Sequence, residues 1–447
     1  MKHLPIILLL MCFSLGFTQN TPSSFTLQEA IDYALENNRQ AKNAARDIEA
    51  AKQQKWETTA TGLPQLNTNI NYQNFLKQQV SVIPAEFFGG NPGEFAEVIF
   101  GTKQSASATA TLNQMLFDGS YIVGLQSAKV FLEISENAKV KTDLEVRKAV
   151  INAYGNVLLA EENIIILEKN LKVLEKNLFE TNKIYENGLE EQESVEQLQI
   201  TLSNVKSNLN NVNRLKKIAY QMLNITLGID FDTEISLTDN LESLAMRNIT
   251  MDILDEANDV STTIDYKIAE NDTRAKELMV KLEKSRALPT LNAFINGSYT
   301  AFDNEFVFLD SNTKWFGASL FGLNLDIPIF SSGKRSAATQ RAKINLEKAK
   351  DDLTETEQRL NLEIATAKSN FKFAVEDYDN KKQNLDLAER IEQKNQTKFF
   401  EGVGSSFELR QAQTQLYTAQ QEFIQAMLDV INTKAELETV LNKPINN

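Results

Sequence analysis

The chain has 447 residues, with 46 Lys and Arg against 60 Asp and Glu and a formal net charge of −14; so acidic a balance argues against a nucleic-acid partner. Hydrophobic residues at 42% and aromatics at 8% argue against disorder. The only histidine, His3, and the only cysteine, Cys12, lie in a segment that reads as cleavable. The mature chain would then lack imidazole or thiolate metal ligands, disulfides, thiol nucleophiles and Ser-His-Asp triads.

Residues 1–19 read as a secretory signal: Lys2 supplies the charge, Ile6 to Leu10 the apolar stretch, and Gly16-Phe17-Thr18 a small-residue cleavage site. Met11 stands where lipid attachment to Cys12 would need a small residue. Beyond this segment no run of eighteen apolar residues is read, so no membrane-spanning helix is expected.

A first repeat is assigned to 20–228. Thr26 with Glu29 forms a capping box that opens a short helix, and a second helix through Ala41–Thr59 ends before Gly62 and Pro64. Alternation follows: Leu66, Thr68, Ile70 and Tyr72 oppose Asn67, Asn69, Asn71 and Gln73, the period-two mark of a strand with one greasy and one wet face. Ala106, Ala108, Ala110 and Leu112 oppose Ser107, Thr109, Thr111 and Asn113 in the same way, so two strands are expected near 64–117. The 80–102 stretch between them reads as a loop rich in aromatics (Phe87, Phe88, Phe95), which either pack over a rim or fold inward. A helical hairpin, 119–228, follows.

Residues 229–263 read as a connector packed outside the helices. A second repeat, 264–441, carries a helix, strands near 289–330 and a hairpin, 333–441, before a short tail, 442–447. Leu63-Pro64-Gln65-Leu66-Asn67 returns as Leu288-Pro289-Thr290-Leu291-Asn292, and Tyr185-Glu186-Asn187-Gly188-Leu189 as Phe399-Phe400-Glu401-Gly402-Val403. Gly119 to Gly188 and Gly333 to Gly402 span equal lengths without a proline, which predicts two matched helices of roughly 100 Å at about 1.5 Å per residue. Val195, Leu198, Leu202, Val205, Leu209 and Val212 form a heptad seam, echoed by Leu409, Ala412, Leu416, Ala419, Phe423 and Ala426.

In order and twice, these motifs resemble the TolC family of outer-membrane efflux proteins. The markers are Thr26-Leu27-Gln28-Glu29-Ala30, the two Leu-Pro-x-Leu motifs, Phe117-Asp118-Gly119 with Phe330-Ser331-Ser332-Gly333-Lys334, and the two glycine turns. The resemblance implies an α+β, mainly α fold: a trimeric outer-membrane β-barrel, four strands per chain and twelve in all, continued by a helical periplasmic tunnel. Physics points the same way. Four strands in a bilayer leave two edges whose unpaired backbone groups cost several kcal/mol each. Two chains would give eight strands, an interior filled by side chains; three leave room for a pore.

The resemblance further implies a passive exit duct of a tripartite efflux or type I secretion system. Its partners would be a homotrimer, outer-membrane lipid, a periplasmic adaptor (membrane fusion) protein, and an RND or ABC transporter of the inner membrane. The adaptor-docking tip would be Gly188, Leu189, Gly402, Val403 and Gly404, the glycines serving as left-handed helix ends. The family's constriction maps to Glu408 and Gln411, only one of which is charged, and Gly404 stands where some members have a latching arginine. Glu408 reads either as part of a cation-attracting ring or as a solvated surface charge. Tyr72, Phe75, Tyr299 and Trp315, with Phe117 and Phe330 at the other edge, are the expected interface aromatics. No catalytic residue, cofactor or metal is assigned. A secreted coiled-coil scaffold or adhesin without a pore is the alternative; an exported carboxylate hydrolase is a weaker one, since the acids cluster at helix turns.

Overall fold

The computed structural model describes residues 23–255 and 259–443; the expected signal segment and the last four residues of the tail lie outside them. The described residues divide into two compact units, one built from 23–47, 136–269 and 354–443 (256–258 apart), the other from Ile48–Ser135 and Glu270–Leu353.

The second unit is organised by one sheet. Its strands are β2 (Gln65–Asn74), β5 (Gln104–Asp118), β7 (Thr290–Asp303) and β8 (Phe316–Asp326), in the order β2-β5-β7-β8. All neighbours are antiparallel, and the central β5–β7 pair joins one repeat to the other. The register fixes the faces. Leu66, Leu112, Ile295 and Phe321 lie across one row, Ile70, Ala108, Tyr299 and Gly317 across another, all on one apolar face. The opposite face carries Asn67, Thr111 and Asn296 in one row and Asn69, Thr109 and Ser298 in the next; Asn296 Nδ2 donates to Thr111 Oγ1 at 3.2 Å. Every residue of β2 is exposed, as expected of an unpaired edge.

Three features depart from the alternation read in the sequence. A bulge at Leu116 shifts the register, so that Phe117 pairs with Leu291 and lands on the apolar face rather than the polar one. From Phe316 to Leu323 both faces of β8 are apolar: Phe316, Ala318, Leu320 and Gly322 occupy the positions that are Asn, Gln, Ser or Thr on β2 and β5, Phe294 of β7 pairs with Gly322, and Asn324 and Asp326 follow on the same face. The stretch 80–102 is not an irregular loop. It forms a hairpin of β3 (Val80–Pro84) and β4 (Phe95–Ile99), joined through a 3-10 turn at Ala85–Phe88. Val80, Val82 and Ile83 on one strand and Val98 and Ile99 on the other supply the β-branched residues that favour this pairing.

In the other unit, β1 (Ser24–Phe25) pairs in parallel with β6 (Ser236–Leu237), which ties the N-terminal segment to the connector. The Thr26 capping box opens α1 (Leu27–Asn37), and Asn38, whose side-chain oxygen accepts from Gln40 N–H at 2.7 Å, separates it from α2 (Arg39–Ala60). The two long helices of the hairpins are α3 (Gly119–Glu186) and α8 (Lys334–Phe400), each running on into both units; their return partners are α4 (Gln192–Leu227) and α9 (Ser406–Val440). The connector contributes α5 (Leu241–Asn248) and α6 (Asp252–Asp255), and α7 (Ile264–Ser285) leads to the second strand pair. The main core gathers Phe25, Val150, Tyr154 and Val157 with Phe371, Tyr378, Val430 and Leu437, and α5 seals it with Leu241, Leu244 and Ala245. Tyr154 OH donates to Phe25 O at 3.0 Å and lies 3.1 Å from Asp239 Oδ2, so the connector is held by a buried hydroxyl.

Contrary to the expectation that no helix is apolar enough to span a bilayer, α3 contains one such window, about half of it buried. The reason lies in packing: Val146, Val150, Ile151, Tyr154, Val157 and Leu158 of α3 all belong to the main core, the composition of a core helix.

Candidate functional site

The apolar face of the sheet carries three of the six predicted interface aromatics, Tyr72, Tyr299 and Phe117. Tyr72 stacks edge-on with Phe306 (5.5 Å between centroids) and Phe308 (5.9 Å) of the β7–β8 loop, and Phe308 packs with the buried Ala106 and Ala301. Trp315 immediately precedes β8, and Phe75 immediately follows β2, its N–H donating to Lys103 O. Phe330 sits in the link between β8 and α8, 86% exposed. Aromatic rings at both ends of an apolar strand band are what a bilayer interface favours. Phe306 and Phe308 were not singled out from sequence; their loop position gave no periodic signal.

At the far ends of α3 and α8 the chain reverses through two matching caps. Gly188 (φ +73°) and Gly402 (φ +74°) are left-handed. Leu189 N–H reaches Ile184 O at 3.1 Å and Val403 N–H reaches Lys398 O at 3.0 Å, the six-to-one bond of a Schellman motif, while the glycine N–H groups close the inner bond. Gly404 does not share this role. Its φ is not positive, and it is needed for room: a β-carbon there would sit 2.9 Å from that of Lys398. The two turns are tied side by side, Ser194 Oγ lying 2.8 Å from Ser406 Oγ. Leu189, Val403 and Phe407 project from them, 79%, 74% and 61% exposed. Phe407 escaped the sequence reading because it falls inside the first turn of α9, where a core position looks the same.

Glu408 and Gln411 are both exposed on α9, one turn apart. Glu408 serves its own helix. Its N–H donates to Ser405 Oγ and its Oε2 accepts from Ser405 N–H, both at 3.2 Å, a capping box that starts α9. The acids at the other turn are solvated and locally paired, Glu186 with Lys183 and Glu193 with Gln197.

Between these turns and the main core runs a polar seam. Asn170 Nδ2 donates to Gln420 Oε1 at 2.8 Å, Gln396 Nε2 to Asn177 Oδ1 at 3.3 Å, and Gln413 Nε2 to Glu392 Oε1 at 3.4 Å. Burial raises the Glu392 carboxyl above its ordinary value, against the Gln413 hydrogen bond, and burial with the Glu392 charge raises Tyr417. The seam was legible in principle, because Asn163, Asn170 and Asn177 recur every seven residues among Leu167 and Leu174. No cluster of acidic residues able to hold a metal ion is present among the described residues.

The sequence matches the outer membrane efflux protein family over residues 30–228 and 267–443. No curated protein matches the chain. Among solved structures it is similar to CusC, a transmembrane channel, with 18% identity and a TM-score of 0.75 over 94% of this chain and 92% of that one. It is similar to the outer membrane protein VceC of Vibrio cholerae at 17% identity and a TM-score of 0.71, covering 94% and 97% of the two chains. To the CmeC outer membrane channel of Campylobacter jejuni the values are 17% and 0.72, over 93% and 85%. At such identities the likeness concerns the fold, which is TolC-like. Together with the two family-matched segments, each containing a strand pair and a long hairpin, this identifies the chain as a member of the outer membrane efflux protein family.

Proposed function

We propose that three copies of this chain close a twelve-stranded barrel in the outer membrane, and that the helical hairpins continue it as a periplasmic duct. It conducts solutes passively out of the cell. The observation that carries this reading is the four-stranded sheet with an apolar face, a largely polar opposite face and two open edges. Its outermost strands run in opposite directions, so β8 of one copy meets β2 of the next antiparallel, and the ring closes without a leftover edge.

The paired tips, with Leu189, Val403 and Phe407 exposed, suit docking of a periplasmic adaptor, through which an inner-membrane RND or ABC transporter supplies the energy. Glu408 and Gln411 would then face the axis near that end, three carboxylates attracting cations. The reading has no use for catalysis. Purified protein in detergent should run as a heat-dissociable trimer and give discrete conductance steps in a planar bilayer. A monomer that stays in buffer without detergent and never conducts would refute it.

A further inference from the structure

The β3–β4 hairpin and the inner side of β8 are two apolar surfaces that their own chain leaves uncovered. On the hairpin, Val80 pairs with Ile99 and Pro84 with Phe95, all facing solvent, and Val82 beside Glu97 is 61% exposed. A lone two-stranded hairpin is at best marginally stable, so this face calls for a cover. On β8, Phe316 and Leu320 stand 51% and 54% exposed on the face that is polar elsewhere, with Phe302 against Phe316 at 6.4 Å. That is an apolar strip on a face whose rows on β2 and β5 are Asn, Ser and Thr (Asn67 with Thr111, Asn69 with Thr109, Asn71 with Ser107).

Topology says how these surfaces meet. The hairpin leaves the sheet at Asn74, and Asn74, Gln104 and Asp303 lie in one row across the sheet. Phe316 pairs with Thr300, three residues from that same end. Within one chain β2 and β8 are separated by two intervening strands, roughly 14 Å at about 4.8 Å per step. Across a β2–β8 junction between copies they are one step apart.

We propose that each β3–β4 hairpin folds onto the inner apolar strip of the neighbouring copy's β8, a clasp that spans every seam of the ring. The occupant of both surfaces is thus a second copy of this chain. This rests on the trimeric reading above and adds to it the role of the 80–102 insertion and the reason β8 is apolar on both faces. Charge is compatible: Glu97 is the one acid on the clasping face, and Lys314, poised 5.1 Å over Phe316, lies beside the strip that receives it.

The test is disulfide trapping in native outer membranes, in a Cys12→Ser background. Oxidising Val82→Cys/Leu320→Cys should convert monomer bands into reducible dimers and trimers. Each single variant should stay uncrosslinked, and so should Val82→Cys/Phe321→Cys, whose second site is on the opposite face of β8. A reducible dimer from Val82→Cys alone would mean that the hairpins meet one another instead, and would overturn the clasp. So would a disulfide confined to one chain, or a trimer by light scattering that no pair crosslinks, the outcome for a hairpin covered by lipid. A monomer by light scattering would instead remove the ring itself, a separate failure.

Discussion

Arg147 and Glu438 offer a measurable test of how α3 and α9 are locked together. Arg147 Nη2 lies 2.8 Å from Glu438 Oε2, and Nη1 donates to Lys443 O at 2.7 Å. Their side chains are only 8% and 17% exposed, so solvent screens the pair little, and burial is the main force lowering the Arg147 pKa. Glu438→Ala therefore leaves a buried guanidinium with a single carbonyl, a loss of about 3–5 kcal/mol. Replacing both partners, as Arg147→Met/Glu438→Leu, removes the stranded charge and should recover most of that loss. In urea unfolding followed by helical circular dichroism, a slope of about 3 kcal/mol/M puts the single variant's midpoint roughly 1 M or more below the parent. The double variant should lie between them. If Glu438→Ala is no less stable than the double variant, the pair is not a buried lock and the reasoning fails.

Glu392 and Glu408 give two further predictions. Burial raises the folded Glu392 pKa, so the native state holds that proton more tightly than the unfolded chain. Its contribution is present below the ordinary carboxylate value and is lost as pH rises through the folded one. Glu392→Gln should remove this component and flatten the stability–pH curve above that ordinary value; an unchanged curve would contradict it. Glu408→Gln keeps the acceptor that the Ser405 N–H uses, so helicity should hold while cation preference and divalent block in a planar bilayer fall. Glu408→Ala should also weaken the cap, by about 0.5–1.5 kcal/mol for one hydrogen bond. Unaltered selectivity in both variants would leave Glu408 a capping residue only.

Much of the fold was legible because it repeats. The Leu-Pro motifs, the Asn and Thr alternation and the glycine turns each occur twice, so a weak local signal could be checked against its copy. Phe117 shows where that ends: a single extra residue at Leu116 moves it to the other face, and no composition rule announces a bulge. The 80–102 hairpin was missed because Gly, Pro and Asn in its turn masked two short strands. The tip glycines were legible from φ requirements alone, yet Gly404 looked equivalent to Gly402 although its constraint is a neighbour's β-carbon. That contact arises within the turn itself, six residues back along the chain, and depends on how the turn folds. Glu408 was singled out through its place after the turn, while its observed capping partner Ser405 was not, since Ser-x-x-Glu competes with the reading of a pore-facing charge.

The β5–β7 pairing at the middle of the sheet has a consequence for assembly. Each half of the chain brings two strands and one pair of rods, so the proposed cylinder consists of six similar staves, covalently linked in twos. The closed ring then has three seams between molecules where six would otherwise be needed. Alternate staves are also free to diverge, and they have: one carries the long insertion at 80–102, the other the short aromatic flap at 304–315.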